Sequence, residues 1–112
     1  MKAFTIKAPA MGTEQFVRYG ATVGDFNPVH YDLNFAKQLK LPAVISQGPL
    51  TFTLALDAAI AENGLDAIAG FKARITAPVF PDTALTITGD ADGKVTASNG
   101  ETTVLDGQLT AR

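Results

Sequence analysis

The 112-residue chain predicts an α+β fold in which an antiparallel five-stranded sheet wraps a long central helix. Three observations carry that expectation. Residues 48–64 hold the one long apolar helical stretch. Everything after Gly64 changes to Thr-, Val- and Ile-bearing segments separated by turn signals. The first half, by contrast, alternates one short strand with short, capped helical pieces. An apolar fraction of 46% with 8% aromatics suits a chain that builds a core, and it excludes low-complexity and disordered classes. At this length one domain over residues 1–112 is expected.

The elements follow in order. Phe4-Thr5-Ile6-Lys7 alternates apolar and polar and reads as a strand ended by Pro9. Thr13 is the expected cap of a short helix that buries Phe16, Val17 and Tyr19 and ends at Gly20. A second short helix is expected over Tyr31–Leu41, capped by Asp32 and stopped by Pro42. Residues 43–48 form an extended approach to the central helix. Gly48 is the expected N-cap, Pro49 fits the first turn, where a missing N–H costs nothing, and Asn63-Gly64 is the expected C-cap. Apolar residues cover nearly every face of this helix, so it is expected to be buried all round. Its length, roughly 22 Å, suits a rod inside a curved sheet. Strands are expected over Ala67–Ala77, Thr83–Gly89, Lys94–Ser98 and Thr102–Thr110, joined as an antiparallel meander, with Asn99-Gly100 the strongest hairpin signal.

Composition removes whole classes of function. Net charge is −2, the pI is near 5.1 and there is no basic run, so no nucleic-acid partner is expected. Without cysteine there are no disulfides, thiol nucleophiles or thiolate metal sites. With a single histidine no metal site is expected. The first twelve residues lack the apolar run of a signal peptide, and Thr51, Thr53 and Asp57 interrupt the most apolar stretch. No membrane span is expected, and a soluble cytoplasmic location is the default.

The chemistry-bearing stretch is Tyr19–Ala36, which contains the only histidine, His30, five residues after Asp25. On a continuous helix such a pair lies about 140° apart around the axis and cannot converge on one atom. Gly24 and Pro28 argue against a continuous helix, and Pro28 pushes Asn27 toward extended geometry. A rigid bend of that kind turns a carboxylate and an imidazole to the same side, as acid/base work requires.

Gly24-Asp25-x-Asn27-Pro28-Val29-His30, followed after five residues by Ala36, closely resembles the signature of the MaoC-like, (R)-specific enoyl-CoA hydratases of the hot-dog fold. Ile45-Ser46-Gln47-Gly48-Pro49-Leu50 matches the approach to that family's central helix. Phe71-Lys72-Ala73-Arg74, with Pro78 and Pro81-Asp82, resembles its next strand and turn. The resemblance implies that Asp25 and His30 are the catalytic dyad, that Asn27 positions the loop, and that the Gly48 N–H faces the thioester carbonyl. The family most often has histidine before this glycine, where this chain has Gln47; Ser46 and Gln47 are candidates to reach the thioester or the dyad. Tyr19 and Tyr31 are expected to pack. Lys72 and Arg74 are expected to be solvated strand charges, with a contact to coenzyme A phosphates as the alternative.

The chemistry implied is syn addition of water to a trans-2-enoyl thioester, or its reverse, without a cofactor. The substrate is expected to be an acyl-CoA or an acyl carrier protein thioester, and the product an (R)-3-hydroxyacyl thioester. A carboxylate and a neutral imidazole hold one water, and the N-terminal amide of the central helix holds the developing oxyanion. A hot-dog thioesterase is the competing hydrolase; its carboxylate belongs on or beside the central helix, where Asp57 is the candidate. A third reading is a subunit of a heteromeric hydratase. At least a homodimer is expected, because an exposed sheet edge and a half-open helix face favour pairing.

Overall fold

The computed structural model describes residues 1–112. Strand β1 (Phe4–Met11) leads into helix α1 (Thr13–Val23). After a single 3-10 turn at Pro28–His30, helix α2 (Leu33–Gln38) precedes the central helix α3 (Gly48–Asn63). Strands β2 (Ile68–Ile75), β3 (Thr83–Gly89), β4 (Lys94–Ser98) and β5 (Thr103–Ala111) complete the chain. All pairings are antiparallel, in the order β1-β3-β4-β5-β2, giving the five-stranded α+β arrangement.

The strand path differs from a plain meander. β3, β4 and β5 are consecutive hairpins, with Gly93 (φ 87°) and Gly100 (φ 100°) supplying the left-handed turn residues. β2, however, pairs with β5 at the far edge. The Pro78–Asp82 segment is therefore a crossover and not a hairpin turn. It runs over the approach to α3, where the Ser46 N–H donates to the Val79 carbonyl (2.8 Å), and returns to β1, where the Asp82 N–H donates to the Met11 carbonyl (2.7 Å).

Two expected breakers do not break. β1 continues through Pro9 because β1 is an edge strand whose only partner is β3, and the register slips between Ala8 and Met11, so the missing N–H forfeits no ladder bond. α1 continues past Gly20 to a left-handed C-cap at Gly24 (φ 78°). Gly20 is instead a place of close approach: a Cβ there would lie 2.5 Å from the Asp25 carbonyl oxygen. α1 starts one residue earlier than expected, with Gly12 as N-cap and the Gln15 side chain accepting from the Gly12 N–H (3.1 Å). α2 is shorter than its pattern, and Asp32 caps it by accepting from the Phe35 N–H (3.2 Å).

α3 departs most from its sequence reading. Its sheet-facing stripe is Thr51, Ala55, Ala58 and Ala59, small residues at helical spacing that let the helix lie close to the sheet. The large residues Leu50, Phe52, Leu54, Leu56 and Ile60 flank that stripe and are only half-buried. The helix is thus covered on one side. Phe52 packs against Phe71 of β2 with ring centroids 4.9 Å apart. The remaining core comes from the inward residues of the sheet, including Leu85, Ile87, Val95, Val104 and Leu105, together with Phe16 of α1. Phe16 is fully buried, which fixes the position of α1 and so of the loop that follows it.

Candidate active site

Three short constraints build the loop after α1. The Asp25 N–H donates to the Gly20 carbonyl (2.9 Å), closing the C-cap. The Asn27 N–H donates to Asp25 Oδ1 (3.1 Å), and Asn27 Oδ1 accepts from the Val29 N–H (3.1 Å), an Asx cap on the turn that Pro28 opens. Asn27 itself is exposed, so its contacts here are to the loop. The turn ends on His30, which is nine-tenths buried, and brings its Nε2 to 3.3 Å from Asp25 Oδ2.

The other ring nitrogen settles the tautomer. His30 Nδ1 lies 2.8 Å from the Ile45 carbonyl oxygen, which only accepts, so Nδ1 carries the proton. In the neutral ring Nε2 is then a bare acceptor facing a carboxylate oxygen, also an acceptor. Such a pair is satisfied by a donor that both share, such as the two O–H groups of one water, or by protonation of the ring. Ile45 is held in turn, its N–H donating to the Val29 carbonyl (3.1 Å). The segments before and after α2 are thereby laced together around the imidazole.

Gly48 is the first residue of α3, with Gln47 as its N-cap; the sequence pattern had put the cap at Gly48 itself. The Gly48 N–H has no acceptor within the chain, as the helix N-terminus dictates. Gly48 shares a cleft of about 400 Å³ with His30, Ser46, Thr51, Ile75 and the crossover residues Pro78 and Val79. A Cβ on Gly48 would sit 3.2 Å from Ile75 Cγ1, so glycine keeps the mouth of this cleft open. Ser46 is buried on the same wall, its hydroxyl donating to the Gln47 carbonyl (3.2 Å).

Asp25 does not line that cleft. With His30 it lines a smaller cavity of about 170 Å³ walled by α1 and the dyad loop, which also includes Gln47. Gln47 is 1% exposed; its Nε2 donates to the Phe16 carbonyl (2.7 Å), while its Oε1 is buried without a partner. Asp57 is exposed on α3 and borders neither cavity. Lys72 and Arg74 lie, with Lys94 and Asp106, on an open groove of the outer sheet face. Val17, expected to be buried, and Tyr31, expected to pack, are about half exposed at 48% and 49%. Two participants carried no signal of side-chain chemistry: the Ile45 carbonyl, which orients His30, and Gly20, which lets the dyad loop approach α1. Only the glycine inside a helical pattern hinted at the latter. There is no cluster of three or more histidine, cysteine or acidic side chains placed to hold a metal ion, and no helix is long and apolar enough to cross a membrane.

Solved structures with this architecture include the ChsH1-ChsH2 complex from Mycobacterium tuberculosis, at TM-score 0.79 and 17% identity over 99% of this chain and 96% of that one. The unliganded R-hydratase PhaJ1 from Pseudomonas aeruginosa matches at TM-score 0.75 and 23% identity, covering 98% of this chain and 78% of the other. The (R)-hydratase from A. caviae involved in PHA biosynthesis matches at 0.74 and 20%, covering 96% and 91%. At these identities the likeness speaks to the fold, which is the hot-dog fold. The sequence itself matches the MaoC like domain over residues 2–110. On that match, which runs over nearly its whole length, the chain belongs to the MaoC-like domain family.

Proposed function

We propose that this chain hydrates trans-2-enoyl thioesters to (R)-3-hydroxyacyl thioesters, and runs the reverse dehydration, using Asp25 and His30. The observation that carries the reading is the 3.3 Å approach of His30 Nε2 to Asp25 Oδ2, with His30 lining one cleft with the unpaired Gly48 N–H. Family membership and the likeness to two R-hydratase structures support the same reaction class.

In the mechanism, Asp25 Oδ2 and His30 Nε2 each accept one hydrogen of a single water, orienting its oxygen lone pair toward C3. The Ile45 carbonyl keeps the ring in the tautomer this needs. As the C3–O bond forms, the pair takes one proton from the water. Electrons of the C2–C3 double bond move into the thioester, and the enolate oxygen is held by the Gly48 N–H. The proton then goes to C2 on the same face, so the elements of one water are added and the dyad returns to its starting state. A preorganised donor at the oxyanion is worth roughly 3–4 kcal/mol, or about a hundredfold to a thousandfold in rate.

The acyl carrier is coenzyme A or an acyl carrier protein, and the working unit is at least a dimer, with a heteromer as the alternative. The testing experiment follows loss of the enoyl absorbance of crotonyl-CoA, with free-thiol release measured in parallel. Hydration without thiol release is expected. Thiol release without hydration would make the protein a thioesterase instead.

A further inference from the structure

The short segment Ile45–Gly48 reaches each part of the proposed site in turn. The Ile45 carbonyl holds His30 Nδ1 (2.8 Å), and Gly48 presents the free N–H that opens α3. Between them, Gln47 reaches toward α1, its Nε2 donating to the Phe16 carbonyl (2.7 Å). No other side-chain hydrogen bond between distant segments is fully buried. α1 in turn leads into Asp25. One turn beyond Phe16, the Gly20 carbonyl accepts from the Asp25 N–H (2.9 Å). A Cβ on Gly20 would lie 3.3 Å from Gln47 Nε2 and 2.5 Å from the Asp25 carbonyl oxygen, so the Gln47 amide, Gly20 and the Asp25 backbone share one crowded spot. The two members of the dyad are thus anchored to the same segment by separate routes: His30 through Ile45, and Asp25 through Gln47 and α1.

We infer that Gln47 is a positioning residue: acting through α1 and not on the substrate, its amide sets how far the Asp25 carboxylate stands from His30 and from the Gly48 N–H. Stability alone does not call for an amide here. Gln47 Oε1 is buried without a partner, and a buried unpaired acceptor is destabilising, whereas an apolar side chain of similar length has no such atom. The Phe16 carbonyl lies inside α1, where the helical ladder supplies it with the Gly20 N–H, so it does not depend on Gln47 for a partner. What the amide adds is direction. A short N–H to carbonyl bond fixes the spacing between the start of α3 and α1, which an apolar contact leaves free to slide. Reaction rate is steeply sensitive to spacing of this kind, a misplacement of ~1 Å costing about a hundredfold.

This inference rests on the proposed reaction, and its test separates the two. kcat and KM for crotonyl-CoA hydration, and the thermal unfolding midpoint, are measured for the full chain, Gln47→Met, Gln47→Asn and Gln47→His. Methionine is close to glutamine in length but has no donor; asparagine keeps the amide one methylene short and reads the same tether should Gln47→Met fail to fold. Both are expected to lower kcat about tenfold or more with KM within about threefold, because the groups lining the Gly48 cleft are untouched. Gln47→Met is expected to keep or raise the unfolding midpoint. Gln47→His places a ring N–H at a similar reach and is expected to hold kcat within about threefold of wild type. Four results overturn the positioning role alone: wild-type kcat in folded Gln47→Met or Gln47→Asn, no better turnover with histidine than with methionine, a raised KM with kcat intact, or losses of kcat that only follow the folded fraction. No hydration by the wild-type chain overturns the reaction, and the role with it.

Discussion

At the scale of single residues, the site is decided by what each polar atom has left over after the fold has used it. Asp25 spends Oδ1 on the Asn27 N–H and keeps Oδ2 for His30. His30 spends Nδ1 on Ile45 and keeps Nε2. Asp25→Asn retains an acceptor for the loop bond but loses the carboxylate of the proposed dyad, and His30→Ala removes the ring. Each is expected to lower kcat for crotonyl-CoA by about a hundredfold or more with the circular dichroism spectrum unchanged. Wild-type turnover in either variant would remove the dyad from the mechanism. Gln47 gives a stability prediction. Gln47→Glu sets a carboxylate oxygen against the Phe16 carbonyl at a buried position, so urea denaturation at neutral pH should show a loss of about 2 kcal/mol or more. Burial raises the new carboxyl's folded pKa above its unfolded value. The loss should therefore be full above the folded pKa and shrink as pH falls through it toward the unfolded one, because the neutral acid again donates to Phe16. A loss independent of pH would refute that contact as its cause.

Among elements, α1 and α3 matter less for their lengths than for where they touch the dyad loop. α1 touches it at Gly20, where nothing larger fits without moving the Asp25 carbonyl. Gly20→Ala should cost about 1–3 kcal/mol through overpacking, although alanine is the better helix former. It should also lower kcat, because the displaced backbone carries Asp25; a more stable and fully active variant would show that the approach is not tight. α3 meets the sheet through Thr51 and three alanines, so its position is set by small side chains and its large ones face sideways. That explains why an all-round apolar pattern produced a helix covered on one side only.

The whole molecule has surplus apolar surface. Only 27 of 112 residues are buried, and the radius of gyration is 14.5 Å, against roughly 13 Å for a compact chain of this length. Leu65, in the short 3-10 turn (Leu65–Ala67) before β2, and Ile75, the last residue of β2, are 63% and 41% exposed, and β2 has a free edge beyond its pairing with β5. An open edge beside a half-covered helix favours pairing. Sedimentation velocity at about 10 μM is therefore expected to show at least a dimer; a single species at the 11.7 kDa chain mass would count against it.

Periodicity and turn chemistry in the sequence determined the five strands, the central helix and the loop that carries Asp25 and His30, because these depend on neighbours within a few residues. The Asp-x-Asn-Pro-x-His order likewise set the bend, since Asn27 and Pro28 act on their own backbone. Tertiary structure alone decided the rest: the β2–β5 pairing, the passage of β1 through Pro9 and α1 through Gly20, the Ile45 carbonyl that fixes the imidazole, and the division of the site into two cavities. Each is a contact between residues distant in the chain or on different elements, or a breaker whose cost depends on what lies opposite it, and no local pattern encodes that.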